Sequence, residues 1–321
     1  MTNLKLNLKV DKELIIISLL VIITGIIYFF VNNQRAFLNF FYLPVLLGAF
    51  FYGKKHGIYS AILSVLIIFA IAYFIPDTFS KDANDINLDK WLDVSIWGGF
   101  LILTGYTTGF LYEKKEAYNN ELRKTYSGII TMLSVVIDSV DKYTQNHSYR
   151  VSRYAEKIAI AAGLPGPEVE DIMVAALLHD IGKIGVGEEV LNKIGNLSEK
   201  ERKEMVDHTG KASELLEPLG GRVLKILPLI LNHHERYDGK GYYGLIGGSI
   251  PIGARIIAVA DVYDALITDR PYRKALSPEQ AKNEIINGSE THFDPEVIKY
   301  FQKVFSTIDS EEEGPMLFKA D

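Results

Sequence analysis

Four long apolar stretches occupy the first third of the chain: Leu14–Val31, Ala36–Gly53, Gly57–Ile75 and Trp91–Tyr112. Each has roughly 18 to 22 residues, and at about 1.5 Å per residue a helix of that length crosses a hydrocarbon core of about 30 Å. They predict four transmembrane helices within residues 1–112. A secretory signal is the competing reading of the first stretch, but the bulky "YFFVNNQRAF" that follows offers no small-residue cleavage site. For the second stretch the alternative is a core helix, because Pro44 interrupts it. Membrane helices tolerate proline, so it is kept as a span.

Basic residues set the orientation. Lys5, Lys9 and Lys12 precede the first span, Lys54 and Lys55 follow the second, and Lys114, Lys115, Arg123 and Lys124 follow the fourth. These segments belong on one side of the membrane, the cytoplasm. The other two connections carry only Arg35, Lys81 and Lys90, the latter two in an acidic segment. Both termini are then cytoplasmic.

The chain has no cysteine, which excludes disulfides and thiolate metal ligands. Its net charge of −6 argues against binding a nucleic acid polymer. A small anionic substrate requires only local cations.

Residues 113–142 read as a helical linker, polar at first and then amphipathic, with Leu122, Ile129 and Val136 at intervals of seven. Such a stripe suits a stalk that pairs with its copy in a homodimer. The other reading, equally open, is that it is the first helix of the next domain. Residues 143–307 show successive helical patterns and no convincing alternating strand, an all-α domain, with residues 308–321 as a flexible tail. Start signals include Pro167, Ser198 and Ser277–Pro278. One glycine-rich connection, "DGKGYYGLIGGSIPIG", is long enough to expect a functional role.

The chemistry concentrates in this second half. "AALLHDIGKIG" places His179 and Asp180 at the end of an apolar helical run, where an unpaired charge costs several kcal/mol. His147, His208 and the adjacent His233 and His234 also fall at helix positions beside apolar residues or carboxylates, and Asp261 interrupts apolar "IIAVADVYDAL". A lone helical histidine is ordinarily a satisfied core or surface residue; five beside two carboxylates point to metal. Imidazole and carboxylate without thiolate suit iron, manganese or zinc. Seven donors exceed one tetrahedral site, so two cations joined by a carboxylate and a water fit better, and that water is the expected nucleophile in phosphoester hydrolysis. Lys183, Arg270 and Arg273 are the local cations for phosphate; surface salt bridging is their alternative use.

"HSYRV", "LLHDIGKIGV", "HTGKASELL", "NHHERYDGKGYYGL", "IPIGARIIAVADVYDALITDRPYRKALS" and "HFDPEVIKYF", in this order, resemble the HD-GYP branch of the HD superfamily of metal-dependent phosphohydrolases over roughly residues 146–301. The resemblance implies a helical bundle whose two or three metals hydrolyse cyclic di-GMP to the linear dinucleotide pGpG or on to GMP. Iron or manganese is the expected metal, with zinc, nickel or magnesium as alternatives, and diguanylate cyclases or other signalling proteins are implied partners. His147, His179, Asp180, His208, His233, His234 and Asp261 match ligand positions. Lys183 matches the lysine that meets the scissile phosphate, and Arg270 and Arg273 match positions that hold the dinucleotide.

Two departures stand out. Gly241-Tyr242-Tyr243 replaces the family's Gly-Tyr-Pro, which frees φ and restores an N–H. Tyr143 occupies the position where some members carry an acidic ligand for a third metal, and Asp141 is out of helical register, so two metals are expected. The first half more weakly resembles the four-helix membrane module of potassium-responsive sensor kinases. The whole then reads as a membrane-anchored cyclic di-GMP phosphodiesterase. The alternatives are a non-catalytic sensor of a cyclic dinucleotide or a partner, and an HD hydrolase for another nucleotide.

Overall fold

The computed structural model describes residues 12–30, 38–75, 87–140, 146–193, 195–269 and 273–308. Apart from an isolated bridge between Ser289 and Phe293, the regular structure of these residues is helical. The chain divides into a unit ending at Arg123 and a unit beginning at Lys124.

In the first unit, α1 (Lys12–Phe30), a 3₁₀ turn (Leu38–Phe41), α2 (Tyr42–Tyr52), α3 (Lys54–Phe74) and the start of α4 (Asn87–Val140) follow the four apolar stretches. By length and composition, α3 and the apolar portion of α4 are sufficient to cross a membrane, whereas Leu14–Ile26 and Leu38–Tyr52 form shorter apolar helices. Leu20, Phe41, Val45, Ile68, Trp97 and Leu101 make a small core. Helices α3 and α4 approach through glycines: a Cβ on Gly57 would stand 2.7 Å from the Gly105 carbonyl oxygen. Gly53, at φ +81°, turns α2 into α3, and the Glu113 carboxylate accepts the Lys54 N–H at 2.8 Å, satisfying a donor at the α3 N-terminus.

The second unit begins inside α4, which contains residues 113–140 of the segment read as a linker. Two faces of this helix behave differently. Ile130 and Ile137 are buried in the second unit's core, as befits its first helix. Leu122, Ile129 and Val136 remain exposed. Helices α5 (His147–Ala161), α6 (Gly166–Leu178), α7 (Glu188–Leu191), α8 (Glu199–Val206), α9 (His208–Leu216), α10 (Val223–Leu231), α11 (Ile252–Ile267), α12 (Pro278–Asn287) and α13 (Pro295–Ile308) follow. Ser198 and Ser277 cap α8 and α12 as their positions predict, each paired with the residue three further on, Glu201 and Gln280. Pro167 lies in the first turn of α6.

The helical pattern of "SEKERKEMVDHTGKASELLEPLG" is broken at Asp207, and the break puts His208 at a helix start. Helix α13 closes the domain and places Val297, Ile298, Phe301 and Phe305 in the core.

Candidate metal centre

The charged residues that sequence reading singled out lie mostly at helix ends, where side chains can leave the bundle's apolar packing. His147 opens α5, His179 caps the end of α6, His208 opens α9, and His233 and His234 follow the last turn of α10. Asp180 sits between His179 and a 3₁₀ turn, Ile181–Gly185. Asp261 alone projects from the middle of a helix, α11.

The close approach of the Asp180 turn to α9 depends on one residue without a side chain. A Cβ on Gly182 would lie 1.7 Å from the carbonyl oxygen of His208. No larger residue fits without driving the two ligand-bearing segments apart.

Two groups of donors result, each with ligand atoms within 4.8 Å of one another: His147, His179 and Asp180 form one, and Asp180, His208, His233 and His234 the other. Asp180 belongs to both. Its Oδ2 lies 3.3 Å from His179 Nε2, and its Oδ1 lies 3.6 Å from His208 Nε2. Asp261 joins the first group through His147, with Oδ1 3.3 Å from Nε2. All but His234 and Asp261 are buried.

Hydrogen bonds fix which nitrogen faces the cluster. His179 Nδ1 donates to Ala176 O at 2.7 Å, His208 Nδ1 to Met205 O at 2.6 Å and His233 Nδ1 to Ile230 O at 2.6 Å. A carbonyl can only accept, so each Nδ1 carries a proton. Burial lowers His208 and His233 and favours their neutral form, with a lone pair on Nε2, whereas at His179 burial is overcome by the Asp180 carboxylate, which raises it. Those three buried Nε2 atoms make no hydrogen bond. Buried acceptors without a donor are rare in folded proteins. Imidazole lone pairs and carboxylate oxygens converging in this way fit divalent cations.

The electrostatics agree. Burial pushes His233 well below the usual imidazole range, and the neighbouring imidazoles deepen the shift; burial likewise takes His234 down to about 4, so both are neutral at pH 7. For Asp180, burial opposes ionisation, but His179 and Lys183 overcome it and hold the carboxyl well below its ordinary range. Asp261 is lowered in the same way by His147.

Several residues that sequence reading did not assign hold the ligands in place. Asp264 Oδ2 accepts from His147 Nδ1 at 2.7 Å, and Arg150 donates to both oxygens of that carboxylate, Nε to Oδ1 at 2.6 Å and Nη2 to Oδ2 at 3.0 Å. Burial disfavours a charged His147, but Asp261 and Asp264 reverse this and raise it to about 10. Asp138 on α4 accepts from Ser148 Oγ at 2.6 Å, beside His147. Glu235, 3% exposed, follows His234 directly. The signals in the sequence were slight: Asp264 is one turn beyond Asp261, and Glu235 extends the "NHHE" that drew attention to its histidines.

The predicted phosphate contacts are placed differently from one another. Lys183 Nζ lies 2.7 Å from Asp180 Oδ2, at the edge of the cluster. Arg273 donates to the carbonyl of Ala265, one turn beyond Asp261 on α11. Arg270, Tyr143 and Asp141 lie outside the described residues.

The family model described as HD domain matches residues 131–297, just over half of the chain and all of the donors above. The chain belongs to the HD-domain family. Among curated relatives, it is 39% identical over 190 residues to the cyclic di-GMP phosphodiesterase response regulator RpfG of Xanthomonas campestris, covering 59% of this chain and 50% of that one. It is 36% identical over 199 residues to a probable cyclic di-GMP phosphodiesterase of Vibrio cholerae, covering 57% and 45%. It is 34% identical over 181 residues to the 3'3'-cGAMP-specific phosphodiesterase 2 of Vibrio cholerae, covering 56% and 35%. The chain spans half or less of the length of these relatives. This HD domain therefore brings its histidines and aspartates together in a cluster suited to divalent metal, as the sequence predicts.

Proposed function

We propose that this chain is a membrane-anchored, metal-dependent phosphodiesterase that hydrolyses cyclic di-GMP to pGpG, GMP or both. The observation that carries the reading is Asp180, whose two oxygens face separate donor groups. That arrangement suits two cations bridged by one carboxylate. The names of the relatives from Xanthomonas campestris and Vibrio cholerae support a cyclic dinucleotide as substrate.

His147, His179, His208, His233, His234 and Asp261 would hold the two cations beside Asp180. Bound there, divalent metal supplies Lewis acidity toward a phosphodiester and lowers the pKa of water. Iron or manganese suits the nitrogen and oxygen donor set, with zinc, nickel or magnesium as alternatives. The neutral lone pairs of His233 and His234 keep this side of the cluster ready to bind at pH 7. Lys183, with its side chain 18% exposed, sets a positive charge at the cluster's edge where a substrate phosphate arrives. In hydrolysis the water oxygen forms the new bond to phosphorus, the P–O3' bond breaks, and the departing ribose oxygen takes up a proton. Arg270 and Arg273 are assigned to the dinucleotide's second phosphate.

The first unit is read as four membrane spans with both termini in the cytoplasm of a bacterium. Its many exposed large apolar residues, among them Leu14, Val21, Leu66, Phe74 and Phe100, are suited to lipid. The exposed stripe Leu122, Ile129 and Val136 supports a homodimer paired along α4. Residues 143–307 are the catalytic domain in this reading, and diguanylate cyclases are candidate partners.

The test is hydrolysis by the full-length chain purified in detergent and loaded anaerobically with Fe²⁺ or Mn²⁺. Linear dinucleotide or GMP should appear from cyclic di-GMP, and Asp180→Ala should abolish it. No turnover with either metal overturns the reading. Because one relative is named for 3'3'-cGAMP, the same assay on that substrate decides the second reading, a hydrolase selective for the mixed dinucleotide.

A further inference from the structure

Tyr243 connects the segments that carry two of the histidines. The glycine-rich connection after His234 folds back over the cluster, turning at Gly239, Gly244 and Gly247, all with positive φ. Gly241 lies against the backbone of Glu235, where a Cβ would stand 2.6 Å from Glu235 Cα. Tyr242 then packs its ring 4.8 Å from that of His234 and 6.4 Å from that of His208.

Tyr243 makes two hydrogen bonds with different partners. Its N–H donates to Glu235 Oε1 at 2.5 Å, while Leu245 N–H takes the other oxygen at 2.8 Å. Its hydroxyl meets Thr209 Oγ1 at 2.6 Å. Glu235 is the residue after His234, and Thr209 is the residue after His208. Both partners are buried, whereas Tyr243 is 53% exposed. One side chain and its own amide therefore bridge the start of α9 to the end of the α10 segment. A proline at this position supplies neither bond, since it has no N–H and no hydroxyl.

We propose that Tyr243 is a positioning residue that holds His208 and His234 at the separation a cation in the Asp180, His208, His233 and His234 group requires. The other donor group, His147 and His179 with Asp180, has no tie to Tyr243 among the described contacts. The effect should therefore fall on one of two cations. This inference rests on reading the cluster as a two-cation centre, and it is independent of which dinucleotide is cleaved.

The experiment is a Mn²⁺ titration of the full-length, chelator-stripped chain in detergent, with free Mn²⁺ followed by electron paramagnetic resonance. The wild type should show two classes of site. Tyr243→Phe and Thr209→Val should each weaken one class about three- to tenfold, in line with loss of one hydrogen bond behind a ligand. The double variant should lose no more than either single one, because both remove the same bond. Tyr243→Pro, which loses both bonds, should weaken that class further, and the second class and the Tm should stay as in the wild type for Tyr243→Phe. Unchanged affinities in Tyr243→Phe overturn the inference while leaving the two-cation reading intact. Equal weakening of both classes with a lowered Tm overturns it as well, since that marks general loosening. A wild type that binds fewer than two Mn²⁺ overturns both.

Discussion

His147 donates from Nδ1 to Asp264 at 2.7 Å, and Arg150 donates to both oxygens of the same carboxylate, so the imidazole is oriented by a residue that does not itself belong to either donor group. The carboxylate fixes the proton on Nδ1 and makes Nε2 the better ligand. Asp264→Asn keeps the shape but removes the charge that Arg150 and His147 share. Metal affinity of the His147 group should fall about 10- to 100-fold, the range typical of such partners. Titration with Mn²⁺ checks this, and an unaltered affinity would show that His147 needs no orienting partner.

Gly182 tests whether the close approach of two segments is required. An alanine there meets the His208 carbonyl oxygen at 1.7 Å, and the obstacle is backbone, which cannot rotate aside. Gly182→Ala should cost about 3 kcal/mol or more, at the upper end of overpacking in a core, and should lower bound metal along with stability. Thermal denaturation and elemental analysis of the purified variant measure both. Gly248→Ala is the control, since nothing lies within 4 Å of a Cβ there.

Much of this centre was legible in the sequence because ionisable side chains are conspicuous against apolar helix. His179, Asp180 and Asp261 interrupt apolar runs, and the pair His233 and His234 closes another. What held those ligands was less visible. Asp264 is another aspartate in the same helix, and its bond to His147 joins residues 117 positions apart. The bond between Tyr243 and Thr209 likewise spans a fold rather than a motif. In α4 the seven-residue stripe of Leu122, Ile129 and Val136 is exposed, whereas the adjacent stripe of Ile130 and Ile137 packs into the core. Periodicity alone cannot choose between two neighbouring faces when both are apolar.

The metal-free chain should be most stable near neutral pH, for two opposed reasons. Burial holds His234 at about 4, below the roughly 6.5 of an unfolded histidine. Between those values the unfolded chain binds more protons, so stability is lost as pH falls from about 6.5 toward 4, by roughly 3 kcal/mol at most from this residue. His147 behaves oppositely, with its proton retained up to about 10 by Asp261 and Asp264 against the cost of burial. Its contribution is complete below about 6.5 and is lost as pH rises toward 10. Urea denaturation of the chelator-stripped chain across this range should give a maximum between the two limbs. Stability that keeps rising above pH 8 would contradict the assignment of a charged His147.

The exposed face of α4 makes the last prediction, and the absence of cysteine from the chain makes it clean to test. Leu122, Ile129 and Val136 are 56%, 48% and 43% exposed, whereas Ile130, the next residue to Ile129, is 2% exposed. If α4 pairs with its copy along the seven-residue stripe, residue 129 of one chain lies near residue 129 of the other in a parallel arrangement. Ile129→Cys should then form a disulfide-linked dimer on mild oxidation in membranes, visible as a doubled mass on a non-reducing gel. Ile130→Cys should remain a monomer, because its side chain is packed inside its own domain. Equal cross-linking of both variants would indicate random collision, and none from Ile129→Cys would count against pairing through this face.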